Sequence, residues 1–308
     1  MLAIWMPLVV ISGLFQTLRN GAQRGLTEQA GPWGATLVRF AFGVPFTVLF
    51  VAAAYLLFPP VSPQFPPRFW AAAVVGAAAQ VLATAALLQA LRVSGFAPGT
   101  MFQHLALPIT ALFGAVVLGD RLGLSGWAGI GLATVGLVLA SRPPQGLLSV
   151  LGGGADGWGQ GLKSVLFGVA AGACFAVSAN CYRICGTTLD PGSPFFSSTL
   201  TLLIIQTLQT AVLGAILLAV DRGALRALRD DLKASLTAGF AGAAASLCWF
   251  AALTLAPAAV VRAAAAVIEA PIATAYGWIR FKERPDLVKV AGSILIVAGV
   301  VLTVLAAG

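Results

Sequence analysis

Long apolar runs, broken by short clusters of charge, proline and glycine, follow one another from the first residues of the chain to the last. A bilayer core about 30 Å thick needs about 20 apolar residues per helical span. With the turn and charge clusters as boundaries, the pattern predicts ten helical spans. They lie near 2–20, 32–58, 67–91, 98–119, 124–141, 161–186, 194–220, 233–254, 257–280 and 286–306. No connection between them is long enough to fold as a soluble domain. The first run reads as a span rather than a signal peptide, because Met1 to Pro7 carries no basic segment and no small-residue cleavage site follows before Arg19.

Composition narrows the class. Of 308 residues, 59% are hydrophobic and 9% charged, and the mean hydropathy is +0.95. Soluble domains carry roughly a quarter charged residues, and disordered chains are poorer still in apolar ones. Both are excluded, and an all-α membrane protein remains. The net charge of +8 does not point to nucleic acid, because the basic residues sit singly or in small groups between spans, where lipid headgroups attract them. Cys174, Cys181, Cys185 and Cys248 fall inside apolar spans. Cys181 and Cys185 share a helix face, but two thiols without histidine or further cysteine make a weak metal site, so all four read as small buried side chains. No cofactor is implied.

The most informative feature is an internal repeat. Pro108, Gly114, Asp120, Arg121, Gly129 and Gly136 are answered by Pro271, Gly277, Glu283, Arg284, Gly292 and Gly299, each 163 residues later. Phe15 and Asn20 are answered more loosely by Phe175 and Asn180, at an offset of 160. The chain therefore divides into a first five-helix repeat over 1–141, a connecting loop over 142–160 and a second repeat over 161–308. The loop contains Arg142-Pro143-Pro144 and the run Gly152 to Gly157. It is not a phosphate loop, because Leu162 interrupts the order of Gly161 and Lys163-Ser164 and no strand precedes it. An odd number of spans per unit makes the second copy enter the membrane from the other side. Two inverted halves suit a cavity near the midplane and a rocking motion about it. Pro45, Pro108, Pro257 and Pro271 would be costly in soluble helices. In a bundle, neighbours satisfy the freed carbonyls; the kinks then either act as hinges, Pro108 and Pro271 foremost, or simply shape the packing.

At these residues the chain resembles the drug/metabolite transporter superfamily, specifically its ten-span EamA-type members. The resemblance rests on proline, acid, glycine and glycine at Pro108, Asp120, Gly129 and Gly136, and again at Pro271, Glu283, Gly292 and Gly299. It implies a secondary transporter or exporter, not an enzyme, that moves a small metabolite or drug-like solute without ATP hydrolysis, as a monomer or homodimer in a bacterial inner membrane. Two features depart from the family pattern: Asp120 stands where glutamate is usual, and the termini lack the basic residues that commonly hold them in the cytoplasm. With Arg39 and Arg262 set aside as intramembrane, thirteen basic residues fall on the side reached after odd-numbered spans, Arg19 and Arg24 among them. Three (Arg68, Arg121 and Arg183) fall on the side of the termini. The positive-inside rule then places both termini outside.

An ionisable residue within a span marks a pathway or a paired site. Arg39, His104 and Glu269 sit at depths that a long guanidinium stem can reconcile, since Glu269 lies about 7 Å deeper than Arg39 at 1.5 Å per residue. Two arrangements fit. The three converge on the cavity, with Arg39 as a fork for a substrate carboxylate, Glu269 receiving an amine or coupling proton, and His104 titrating near neutrality. Alternatively Arg39 and Glu269 form a permanent ion pair that fixes two spans together. Arg262 is a fourth intramembrane candidate; five residues into its span, it reads first as a side chain that snorkels to the headgroups, and otherwise as part of the pathway. Gln16, Gln80, Gln103, Asn180 and Trp249 are further lining candidates, each equally able to glue helices together. Trp249 would offer its flat face to an aromatic or cationic solute. A channel, or less plausibly a lipid-modifying enzyme, are the rival readings.

Overall fold

The computed structural model of the protein describes residues 2–58, 62–94, 106–119, 123–140, 157–189, 192–282 and 287–307. The described residues are helical almost throughout, without a strand. In chain order the helices are α1 (Leu2–Ala41), α2 (Val44–Leu57), α3 (Pro67–Ser94), α4 (Ala106–Phe113, continued by a π-helical turn over Gly114–Leu118), α5 (Leu124–Ala140), α6 (Gly157–Leu189), α7 (Pro194–Val220), α8 (Arg222–Asp230), α9 (Leu232–Leu255), α10 (Ala258–Phe281) and α11 (Leu287–Ala307). By length and composition the stretches 4–57, 67–93, 166–189, 194–220 and 232–255 can cross a bilayer, and four shorter apolar helices accompany them. Divided at Gly31, where α1 turns, these stretches answer to the ten predicted spans in order.

The turn at Gly31 corrects the first boundary. The helix does not stop near residue 20 but continues to Gly31, whose φ of 66° and ψ of 172° interrupt it. Glycine alone adopts that conformation readily, and Pro32 then opens the next helix with its φ already set. The reversal is tight enough for Gln23 Nε2 to donate to the Ala35 carbonyl, an approach that a straight helix would forbid at about 18 Å separation. The cluster Arg19, Asn20, Arg24 resembled a boundary because it is polar. Arg19, Asn20, Gln23 and Thr27 are instead buried within the bundle, and the four-residue spacing of Arg19, Gln23 and Thr27 is one helix face.

A second break lies inside the next span. Pro45 cannot donate to the preceding turn, and residues 42–43 leave the helix between α1 and α2. At this turn Gly43 N–H donates to the Phe40 carbonyl, and Gln206 of α7 spans the break: its Nε2 donates to the Arg39 carbonyl at 3.0 Å, and its Oε1 accepts from Thr47 Oγ1. A carbonyl left free by the turn before Pro45 is thus satisfied by a side chain of a neighbouring helix.

The packing carries the signature of inverted repeats. In a structure with a pseudo-two-fold axis, if element i of one copy meets element j of the other, then j must also meet i. Here α1 packs along α9 and, reciprocally, α3 along α6. Likewise α1 meets α10 while α4 meets α6, and α2 pairs with α7 and α5 with α11 across the axis. The α5–α11 contact explains the repeated glycines. A methyl group on Gly129 would fall 2.5 Å from the Gly299 carbonyl oxygen, and one on Gly136 would fall 2.6 Å from the Gly292 oxygen. Gly292 answers Gly129 in the repeat and Gly299 answers Gly136, so each first glycine meets the partner's second. The two backbones touch, which is how helices associate in lipid where no hydrophobic force draws them together.

Candidate functional site

Side chains from both repeats meet in one polar cavity. Its lining comprises Gln16, Arg19 and Arg39 of α1, Gln80 of α3, Phe175, Ser178 and Tyr182 of α6, Ala245, Ser246 and Trp249 of α9, and Arg262 of α10. The space between these walls is small, with room for little more than a water molecule.

Three guanidiniums dominate it. Arg19, Arg39 and Arg262 are only 2%, 2% and 5% exposed. Local sequence explains how each is held. Arg39 follows the Gly31 turn and precedes the Pro45 break, so the short helix between them presents it inward. Its Nη1 donates to Thr84 Oγ1 at 3.1 Å and its Nη2 to Ser246 Oγ at 3.2 Å, one hydroxyl from each repeat. Arg19 donates twice to the Asn20 amide oxygen, at 2.7 and 3.2 Å. Arg262 donates from Nη2 to the Phe175 carbonyl at 3.2 Å, and its guanidinium carbon lies 4.7 Å from the Trp249 ring centre and 5.5 Å from that of Phe175.

A hydrogen-bonded wall closes the cavity on one side. Gln80 Oε1 accepts from Gln209 Nε2 at 3.0 Å, and the single Tyr182 O–H is shared between Gln80 Oε1 at 2.7 Å and the Gly76 carbonyl at 2.9 Å. Gln209 lines a larger groove beyond it, between α1, α3 and α7, whose walls include the exposed Trp33, Val74, Val212 and Ile216. That groove is apolar surface facing hydrocarbon, so one layer of side chains separates the lipid from the polar chamber.

Four of the predicted lining residues are therefore brought together: Gln16, Gln80, Arg39 and Trp249. Asn180 is not among the lining residues. It donates to the Thr110 carbonyl at 3.4 Å and to that of Ala176 at 3.0 Å, and so ties α6 to α4 as helix glue. Gln103 and His104 lie outside the described residues, as do Asp120, Arg121, Glu283 and Arg284; Glu269 is on α10 but its side chain also lies outside them, as does that of Pro271. Two readings are corrected. Arg262 does not snorkel, because Ala258–Ala266 is buried on every side and offers no lipid-facing route for its stem. Arg19, counted among the loop residues, is buried in the cavity, which leaves the charge bias at twelve against three. The Trp249 face expected to receive a cationic solute is covered by the Arg262 guanidinium.

Sequence reasoning missed Arg19, Tyr182 and Ser246, and put the pathway second for Arg262. For Arg19 a signal existed in the inward stripe of Gln16, Arg19, Gln23 and Thr27. For Arg262 it was the unbroken alanine run around it, too small-sided to be a lipid face. Tyr182 and Ser246 carried no signal of their own.

Two inverted five-helix repeats that share a polar chamber at their interface form a membrane transporter of small solutes. The chain belongs to the EamA-like transporter family, whose profile matches it twice, over residues 3–142 and 162–305. No curated protein matches it. A solved crystal structure, described only as that of a protein, has the same fold, with a TM-score of 0.64 over 97% of each chain at 18% identity.

Proposed function

We propose that the protein is a secondary transporter, working as an exporter, that carries a small solute by alternating access around the arginine-lined cavity. The observation that supports this reading is the cavity itself: walled by both repeats and with room for little more than a water, it suits a site opened to one face at a time better than a continuous channel. Pro108 and Pro271, equivalent in the two repeats, are the proposed hinges. Glu269 and His104 are the proposed proton-coupling groups, and Arg39 the proposed solute ligand. The two repeats, with domain limits at 141 and 161, supply a complete pathway in one chain, so a monomer suffices and a homodimer is not required. The charge bias of twelve against three supports a cytoplasmic-membrane orientation with both termini outside.

Thermal unfolding of the purified protein with amino acids, nucleosides, sugars and drug-like amines identifies binders, since a ligand of the folded state raises Tm. Each binder is then loaded into proteoliposomes. Uptake of labelled solute accelerated by unlabelled solute on the far side is the expected result; flux without such acceleration would identify a channel. Glu269→Gln should abolish proton-driven accumulation while leaving exchange intact, and unchanged accumulation would remove that carboxylate from coupling. A cytoplasm-only reporter active on Gly308 would reverse the orientation.

A further inference from the structure

The apolar groove between α1, α3 and α7 runs from the end of one span to the middle of the bundle and stops there. Its inner end is Leu208 and Gln209, close to the centre of α7, and its outer end is Val220 and Asp221, where α7 finishes. The twelve residues from Gln209 to Asp221 cover about 18 Å at 1.5 Å each. Half of a hydrocarbon core of about 30 Å is about 15 Å. Trp33 stands at the outer end: a methyl group on the adjacent Gly34 would fall 3.2 Å from the Ala224 Cβ, and the Ala224 N–H donates to Asp221 Oδ1. Between the two ends the walls are aliphatic, Val74, Val81, Val212 and Ile216 among them. They border about 700 Å³, the size of pockets that take up whole small molecules. The mouth carries both signs of charge. Asp221 and Arg222 are adjacent and exposed, and Arg222 is held against the end of α7 by its Nε, which donates to the Leu218 carbonyl at 2.9 Å.

We infer that this groove holds one acyl chain of a membrane phospholipid whose headgroup carries both a phosphate and an ammonium, with that headgroup seated on Arg222 and Asp221. The depth of one leaflet and the aliphatic walls suit a chain that enters at the surface and ends at the midplane. A spanning helix from a second copy would need a face that runs the whole way across, and the lined groove stops at Leu208. At the mouth, the Arg222 guanidinium matches a phosphate, and the Asp221 carboxylate matches an ammonium. A headgroup with phosphate alone gains Arg222 but meets the charge of Asp221, and a lipid with neither group gains only the groove. The inner end of the chain rests on Gln209, whose Nε2 donates to Gln80 Oε1 and to the Ala77 carbonyl. The lipid therefore backs the hydrogen-bonded wall of the polar chamber.

The test uses the full-length protein, stripped of lipid in detergent, and three lipids with the same acyl chains: phosphatidylethanolamine, phosphatidylglycerol and diacylglycerol. Native mass spectrometry counts the lipid retained, and Tm reports its effect on the folded state. One phosphatidylethanolamine per chain is the expected result, with Tm rising most for it, less for phosphatidylglycerol and least for diacylglycerol. Val212→Trp fills the groove and should remove the retained lipid and the order of Tm shifts together. Asp221→Asn keeps a good helix cap but loses the charge, and should narrow the preference for phosphatidylethanolamine over phosphatidylglycerol by about two- to fivefold, the scale of one exposed ion pair. Arg222→Gln should lower retention of both phospholipids and leave diacylglycerol unchanged. Should Val212→Trp not fold, the two mouth variants carry the test. Equal Tm shifts with all three lipids, or phosphatidylethanolamine still retained one to one by Val212→Trp, would overturn the inference. So would a dimer that Val212→Trp converts to monomer, since the groove would then belong to a second copy.

Discussion

The α5–α11 seam and the arginine cavity are both products of one duplication, and they treat the space between the repeats in opposite ways. Along the seam, Gly129 and Gly136 meet Gly299 and Gly292 with no room for a single added carbon, and the buried Thr303 returns its hydroxyl to its own helix at Gly299. Thr134 likewise bonds the Ile130 carbonyl of its own helix, so the strength of the seam is chiefly backbone approach and dispersion. Around the cavity, polar and aromatic side chains of α1, α3, α6, α9 and α10 converge on one small space. Symmetry differs as well. The seam is reciprocal residue for residue, whereas the chamber takes Arg19 and Arg39 from the first repeat and Arg262 from the second, at positions the repeat does not relate. Duplication thus preserved the part that holds the halves together and let the polar cavity between them diverge.

The sharpest way to break this contrast is at the seam. Gly136→Leu drives a branched side chain into the α11 backbone, and the expected outcome is loss of monodisperse protein in size-exclusion chromatography. Gly129→Ala adds one methyl 2.5 Å from a carbonyl oxygen; overpacking of this kind costs about 1–3 kcal/mol and should lower Tm by several degrees. Gly25→Ala, a helical glycine with nothing within 4 Å of the added carbon, should leave Tm unchanged, and an equal drop at both positions would show that glycine content rather than close approach matters.

At the cavity the expected order is inverted, with activity lost and folding kept. Trp249→Leu removes the ring under Arg262, a contact of about 2 kcal/mol when desolvated, and should slow counterflow markedly while the elution profile stays intact. The smallest effect is expected for Tyr182→Phe. It strips one donor from Gln80 and Gly76, and intramembrane hydrogen bonds average about 0.6 kcal/mol, so a Tm shift of a degree or two is the measurement that checks it.

How much of this was legible depends on where the information sits. The ten spans and the duplication could be read directly, because span length is set by the bilayer and a proline, an acid–arginine pair and three glycines in one frame do not recur by accident. The glycines announced a motif without saying what they touch; that Gly129 meets the equivalent of Gly136 and not its own counterpart emerges only when the helices run antiparallel. The first boundary was misread for a physical reason. A polar cluster marks a loop in most membrane chains, and here Arg19 lines a chamber that sequence cannot display while Asn20 accepts from its guanidinium. Arg262 misled in the same way, since snorkelling depends on which side of the helix is lipid, and alanine is equally at home facing lipid or packed against another helix.

By itself, then, the amino-acid order determined what hydrocarbon and backbone chemistry impose on any chain: how many helices, where proline and glycine interrupt them, and that the halves are inverted copies. The tertiary structure decided which polar side chains share a space. Three arginines separated by up to 243 residues of sequence become neighbours through helix pairing across the two-fold axis, and no spacing rule along a single helix can encode a meeting between different ones.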